Sequence, residues 1–332
     1  MQNQIINMCR VLIGPNAVVT DNQINDAIER VSLIFPNMDV AQIKNELLSL
    51  YGVRIQDFQI LEGNERRQPW LRDFKAERKS TWDFWVRYKQ YLSEQKGFAP
   101  LVIQKLDEMT DRILDNLFNP QSTNITIDKK GLVVGQVQSG KTANYTGLIC
   151  KAADAGFNFI VVLAGILNNL RSQTQSRIDE GFLGFDTQYE RAYNINNTTK
   201  IGVGLIPGFD SAIANSYTTS LDYGDFNSRA ANTAGFNFNA PQPIILVVKK
   251  NAAVLKRLNT WLKAQAGGHK IANKSLLLID DEADNASINT KKDKDLDPTA
   301  INKGIRTLIG QFNRSAYVGY TATPFANIFI AQ

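Results

Sequence analysis

Between Gly131 and Gly319 short apolar runs are set again and again beside helical stretches, and this alternation constrains the fold more than any other feature of the 332 residues. The runs cover 131–134, 159–164, 201–206, 244–248, 276–279 and 316–319. They are continuous in Val, Ile and Leu rather than alternating with polar residues, so each strand must be covered on both faces, as in a parallel sheet sandwiched by helices. Helices at about 141–155, 168–180, 251–266 and 299–312 fill the gaps. The expectation is an α/β domain with a mostly parallel sheet over residues 126–332. One stretch, 207–243, is rich in Asn, Ser, Ala, Gly and Phe without a sustained period, and so long a loop is expected to be functional or mobile.

Residues 1–125 have a different pattern and predict a helical N-terminal region. Ile24, Ala27, Ile28, Val31 and Ile34 fall at helical spacing after Asp21-Asn22, and Pro36 closes the run. A second helix starts at Asp39 and stops at Gly52. A third covers 81–94 with Trp82, Trp85, Val86, Tyr88 and Leu92, and a fourth covers 100–118 up to Pro120. Arg66, Arg67, Arg72, Lys75, Arg78 and Lys79 precede the aromatic run. Two readings stand side by side: a phosphate-gripping surface with stacking aromatics, or an aromatic core with a solvated basic edge.

Gly135-Gln136-Val137-Gln138-Ser139-Gly140-Lys141-Thr142 matches G-x-x-x-x-G-K-[ST] in full. It follows the apolar run Leu132-Val133-Val134 and opens a helix, which is the context the motif requires. Two glycines let successive backbone N–H groups turn inward onto phosphate oxygens, and the helix N-terminus adds its positive dipole end. The expected nucleotide-binding set is Gly135, Gln138, Ser139, Gly140, Lys141 and Thr142. Lys141 would reach the β- and γ-phosphates of ATP, and the Thr142 hydroxyl would ligate Mg²⁺.

Leu276-Leu277-Leu278-Ile279-Asp280-Asp281-Glu282-Ala283-Asp284 is a strand that delivers carboxylates to the C-terminal edge of the sheet, where open α/β sheets bind ligands. Asp281 is expected at Mg²⁺ and Glu282 as the base that orients and deprotonates an attacking water. Asp280 is expected to point to the opposite face. Asp-Glu-Ala-Asp resembles motif II of superfamily-two helicases, and Thr321-Ala322-Thr323 at the end of the last strand resembles their motif III. That resemblance implies a coupling role for Thr321 and Thr323. Asn168, Asn169 and Arg171, at the start of the helix after Val162-Leu163-Ala164-Gly165, stand where those enzymes grip the nucleic-acid backbone, and Lys249 is a weaker candidate.

Composition narrows the chemistry. His269 is the single histidine, which excludes a His-Cys zinc cluster, a His-based triad and a two-histidine metal site within this chain. Carboxylates, lysine and metal-bound phosphate are left to carry any reaction. Cys9 and Cys150 are the two cysteines and are expected to be reduced structural thiols, which suits a cytoplasmic location. The formal net charge of +5 permits nucleic-acid binding without requiring it. No apolar run is long enough for a membrane span, and the first residues show no signal-peptide pattern.

Taken together, 131–145, the 163–175 stretch, Ile279-Asp280-Asp281-Glu282-Ala283-Asp284 and Tyr320-Thr321-Ala322-Thr323-Pro324-Phe325-Ala326-Asn327 resemble the bacterial Z-one domain family. The resemblance covers about 82–332 and implies a RecA-like P-loop ATPase. Family members are helicase-like ATPases labelled as endonucleases. They belong to restriction and anti-phage systems that also encode a GHKL (MORC-like) ATPase and a separate nuclease. DNA, contacted along its backbone, is the implied partner. Family members continue into a second RecA-like domain that supplies an arginine finger, so the present residues are expected to be an N-terminal piece that binds ATP·Mg²⁺ but turns it over slowly. Two alternatives are an ATP-gated assembly module that docks partners without translocating, and a nuclease in its own right. For the last, Glu77-Arg78-Lys79 has Asp73 too near for the usual metal-site spacing, and a surface charge cluster is the better reading.

Overall fold

Strand parity builds the sheet into the middle of the molecule. In β3 (Phe159–Ala164), Phe159, Val161 and Leu163 enter one apolar cluster while Ile160, Val162 and Ala164 enter another. The same division runs through β5 (Ile244–Val248) and β6 (Ile271–Asp281), so each strand is buried on both sides, as its unbroken apolar run demands. A computed structural model describes residues 2–14, 19–51, 59–60, 69–77, 81–122, 126–134, 140–188, 199–235, 237–283 and 298–321.

Among these, β2 (Ile127–Val134), β7 (Phe312–Thr321), β6, β3, β5 and β4 (Asn215–Ser216) form one all-parallel six-stranded sheet in that order. The two-residue β1 (Gln59–Ile60) adds an antiparallel edge beside β2. Between β2 and β3 lies α7 (Lys141–Ala155), and after β3 comes α8 (Asn168–Ile178), continued by a π-helical turn, Asp179–Leu183. Then α10 (Ala252–Gln265) links β5 to β6, and α11 (Pro298–Gly310) links β6 to β7. The connections β2→β3 and β3→β4 advance in one direction along the sheet, and β4→β5, β5→β6 and β6→β7 in the other. Right-handed crossovers then require opposite faces. Residues of α7 and α8 do pack with Ile160 and Val162, and those of α10 and α11 with Phe159 and Val161.

N-terminal to the sheet are α1 (Gln2–Ile13), α2 (Asp21–Ser32), α3 (Val40–Leu50), α4 (Leu71–Ala76), α5 (Asp83–Glu94) and α6 (Pro100–Asn116). A capping box fixes the start of α2: Thr20 Oγ1 accepts from the Gln23 N–H, and Gln23 Oε1 accepts from the Thr20 N–H. Pro100 opens α6, where its missing N–H costs nothing. These helices divide in two by packing. α1–α3 share their own core of Ile5, Cys9, Ile24, Val31 and Leu47, whereas Leu71, Phe74, Trp85, Ile103 and Leu114 belong to the core under the sheet. The apolar core therefore does not divide at residue 125.

The expected strand at 201–206 is a correction. Gly202–Leu205 is a short 3₁₀ turn. Gly202 has φ +50°, and a Cβ on Gly204 would stand 1.9 Å from the Gly184 carbonyl oxygen. Two glycines let this turn press against the backbone after α8, and β4 pairs with β5 instead. The irregular 207–243 stretch, which includes α9 (Ser228–Thr233), covers the sheet beside β5, with Tyr217, Phe226 and Ala231 buried in its core.

Candidate functional site

Register brings the C-terminal ends of four strands to one level. Val134 pairs with Thr321, Tyr320 with Asp281, and Asp281 with Ala164. Because β7 lies between β2 and β6, the ends of β2 and of the acidic strand stand two strand spacings apart, about 9.5 Å.

On the acidic side, consecutive residues point to opposite faces. Asp280 is buried, accepts a hydrogen bond from the Tyr317 hydroxyl at 2.8 Å and pairs with the buried Lys250 ammonium at 2.5 Å. It is a structural acid, as its parity suggests. Lys250 also donates to the Glu282 carbonyl oxygen at 2.6 Å. Glu282 itself has φ +57°, left-handed backbone that a residue with a side chain adopts at a cost of about 1–3 kcal/mol. Asp281 faces the α7 side. Burial first, and then the neighbouring Glu282 carboxylate, push its pKa up, while the Lys250 and Lys141 ammonium groups pull it back.

On the phosphate-loop side, α7 begins at Lys141 with Gly140 as its cap. Gly135, Gln138 and Ser139 lie outside the described residues, as does Thr323. Thr142 Oγ1 accepts hydrogen bonds from the Arg177 guanidinium at 3.0 Å and from the Tyr145 hydroxyl at 3.4 Å. Tyr145 is fully buried, and burial together with the Asp281 charge pushes its pKa up, which keeps it a neutral donor.

The strand β7 touches both sides. The Tyr320 hydroxyl donates to Asn144 Oδ1 at 2.8 Å in the first turn of α7, and the Tyr320 carbonyl accepts the Ala283 N–H at 2.9 Å in the acidic turn. Thr321, the next residue, is fully buried. Sequence reasoning reached Lys250 only as part of the strand end Val248-Lys249-Lys250-Asn251, and it missed Arg177 and Tyr320. Lys250 stands beside the selected Lys249, and Tyr320 lies within the quoted strand end. Nothing in the local pattern distinguishes Arg177.

The residues selected for nucleic acid have mixed placements. Asn168 and Asn169 are exposed beyond the end of β3, and the Lys249 ammonium donates to Asn168 Oδ1 at 2.8 Å. Arg171 is a correction: it is fully buried and donates to the Leu221 carbonyl, which anchors the 207–243 stretch. Its side chain has no access to a bound strand in this arrangement. Of the N-terminal cations, Arg66, Arg67, Arg78 and Lys79 lie outside the described residues. Arg72 is exposed, and Lys75 pairs with Asp111 at 2.5 Å. Trp85 and Tyr88 are buried in the core, as the second reading of the aromatic run expects.

The donor chemistry fits a hard divalent cation. Among the described residues no group of three or more His, Cys, Asp and Glu is placed to hold a metal ion. Mg²⁺ in phosphoryl-transfer sites takes one or two protein oxygens and completes its shell with substrate phosphates and water, and the Thr142 hydroxyl and the Asp281 carboxylate are oxygen donors of that kind. Among the described residues no helix is long and apolar enough to cross a membrane. No protein-family model and no curated protein matches this chain.

Proposed function

We propose that the chain is a RecA-like P-loop domain that binds ATP and Mg²⁺ and hydrolyses ATP as the first motor domain of a helicase- or translocase-like enzyme. One observation supports the reading: the first turn of α7, which begins at Lys141, is tied to the end of β7 by the Tyr320–Asn144 hydrogen bond, while Asp281 pairs with Tyr320 at the end of the neighbouring β6. Lys141 holds the β- and γ-phosphates, and the first-turn N–H groups of α7 face the same anion. Thr142 and Asp281 would hold Mg²⁺, which supplies neutralisation of the charge that builds up on the transferring phosphate. Glu282 orients the attacking water and takes its proton on the carboxylate. Its left-handed backbone is held by Lys250 at the carbonyl and by the Ala283 N–H bond to Tyr320. Thr321 and Thr323 relay nucleotide state.

Lys141→Ala is expected to lose ATP binding, since this ammonium acts on ground-state phosphates. Glu282→Gln is expected to keep binding and lose hydrolysis, since the carboxylate acts on the water. Calorimetry with ATP·Mg²⁺ and a phosphate-release assay read the two variants. Abolished binding in Glu282→Gln with intact binding in Lys141→Ala reverses the roles and sinks the assignment.

DNA is the proposed track, within a restriction or anti-phage system that pairs this ATPase with a GHKL (MORC-like) ATPase and a nuclease. The buried Arg171 and the engaged Lys249 favour a second reading, an ATP-gated assembly module that docks partners without moving along DNA. Stimulation of ATP turnover by DNA separates the two, because a docking module has no reason to respond.

A further inference from the structure

Arg177 belongs to the last turn of α8, yet it stands level with the first turn of α7. Alongside α7 the chain keeps descending: the Cys150 thiol donates to the Gly181 carbonyl oxygen, and a Cβ on Gly181 would meet Thr146 Cγ2 at 2.8 Å. The guanidinium donates to Thr142 Oγ1 at 3.0 Å, and its side chain is exposed. A neutral hydroxyl is a modest partner for a planar, permanently charged fork that matches phosphate geometry in two simultaneous hydrogen bonds.

Resting on the nucleotide reading above, we infer that Arg177 is a nucleotide-contacting residue that delivers a positive charge to the terminal phosphate of ATP from within the same chain. Three observations carry it. Thr142 Oγ1 is the hydroxyl that would ligate Mg²⁺, and a divalent cation and a guanidinium repel each other at one oxygen, so loading the site displaces Arg177. The side chain has room to move, because it borders a groove of about 440 Å³ beside Thr142, Ala143 and Thr146. The nearby Glu180 is already engaged, accepting from the Tyr91 hydroxyl at 2.9 Å and pairing with the Lys96 ammonium at 3.0 Å. Glu46, which lines the same groove, accepts from the Gln2 amide at 3.0 Å, and a terminal phosphate, with more charge and a geometry that takes two hydrogen bonds, is the stronger partner for the displaced guanidinium. An arginine supplied in this way from the same chain adds charge stabilisation that a second domain is otherwise needed to provide.

The test is calorimetric titration of the wild-type protein, Arg177→Ala and Arg177→Lys with ADP and with a non-hydrolysable ATP analogue, each with Mg²⁺. A charge-assisted contact to the terminal phosphate predicts that Arg177→Ala loses about tenfold or more in affinity for the analogue. Its affinity for ADP should stay within about twofold, and Arg177→Lys should fall between. The same analogue-to-ADP ratio in Arg177→Ala as in the wild type overturns the inference. So does an equal loss for both nucleotides, which makes the residue a support for the start of α7. If the wild type binds neither nucleotide, the nucleotide reading itself fails. Melting curves of the variants are expected to match the wild type, since the substituted side chain is exposed.

Discussion

Removing the Lys250 ammonium takes the counter-charge from the buried Asp280 carboxylate and one hydrogen bond from the Glu282 carbonyl. Breaking a buried pair from one side costs about 3–5 kcal/mol, because the remaining charge has lost its hydration and keeps no counter-charge. Lys250→Ala is therefore expected to lower the unfolding free energy by about that amount in urea titrations. Tyr317→Phe removes one hydrogen bond to Asp280 and should cost about 1–2 kcal/mol. A loss below 1 kcal/mol in Lys250→Ala means that the pair is not what holds the acidic turn. Replacing both partners, Lys250→Met with Asp280→Leu, should recover much of the loss, since well-packed apolar groups substitute for a buried ion pair at little net cost. The double variant tests stability alone, as the Lys250 hydrogen bond to the Glu282 carbonyl stays lost.

At the scale of elements, the junction of α8 with its π-helical turn is held by one buried acid. Asp179 accepts from the Thr187 hydroxyl at 2.6 Å, the Thr187 N–H at 3.2 Å and the Gln175 amide at 2.9 Å. Burial nevertheless outweighs these bonds and pushes its pKa up to about 7. An unfolded aspartate titrates near ~3.9, so between about pH 4 and 7 the unfolded chain releases this proton while the folded chain retains it. Stability from this group is complete below the unfolded value and is lost as pH rises through the folded one. Melting temperature should fall from pH 5 to pH 8, and Asp179→Asn should flatten that slope. Asp154 contributes in the same direction, since burial also pushes it to about 7 although it accepts the Phe84 and Trp85 N–H groups. An Asp179→Asn slope equal to that of the wild type excludes Asp179 as a source.

For the whole molecule, cores and composition place the boundary differently. The pattern of apolar runs changes near residue 126, but α4, α5 and α6 send Leu71, Phe74, Phe84, Trp85 and Ile103 into the same core as α7 and one face of the sheet. The Asp154 carboxylate accepts the first N–H groups of α5, and the buried Lys151 pairs with Asp107 and Asp111 of α6. Deleting residues 1–68 should leave a domain that melts cooperatively, because α1–α3 pack mainly with one another. Deleting residues 1–125 should abolish that transition, since it strips apolar cover from α7 and leaves Lys151 without its carboxylates. Circular dichroism melting of the two truncations reads the outcome, and a cooperative transition in the shorter one contradicts a shared core.

The sequence by itself determined what is local. Continuous apolar runs gave β3, β5 and the core of β6, helical spacing gave α2, α5, α6 and α7, and fixed spacing put Lys141 and Thr142 at a helix start and Asp281 and Glu282 at a strand end. It overreached where apolar content stood for a strand: the 201–206 run has the composition, but its glycines allow a backbone contact with Gly184 that an extended strand would lose. Tertiary structure alone decided the pairings across long separations, Tyr320 with Asn144, Lys250 with Asp280 and Arg177 with Thr142, and it placed Arg171 in the interior. Periodicity tells which face of an element is buried, whereas the order of strands and the packing of helices on the sheet decide which neighbour that face meets. A charged side chain changes from solvent contact to internal anchor according to that neighbour.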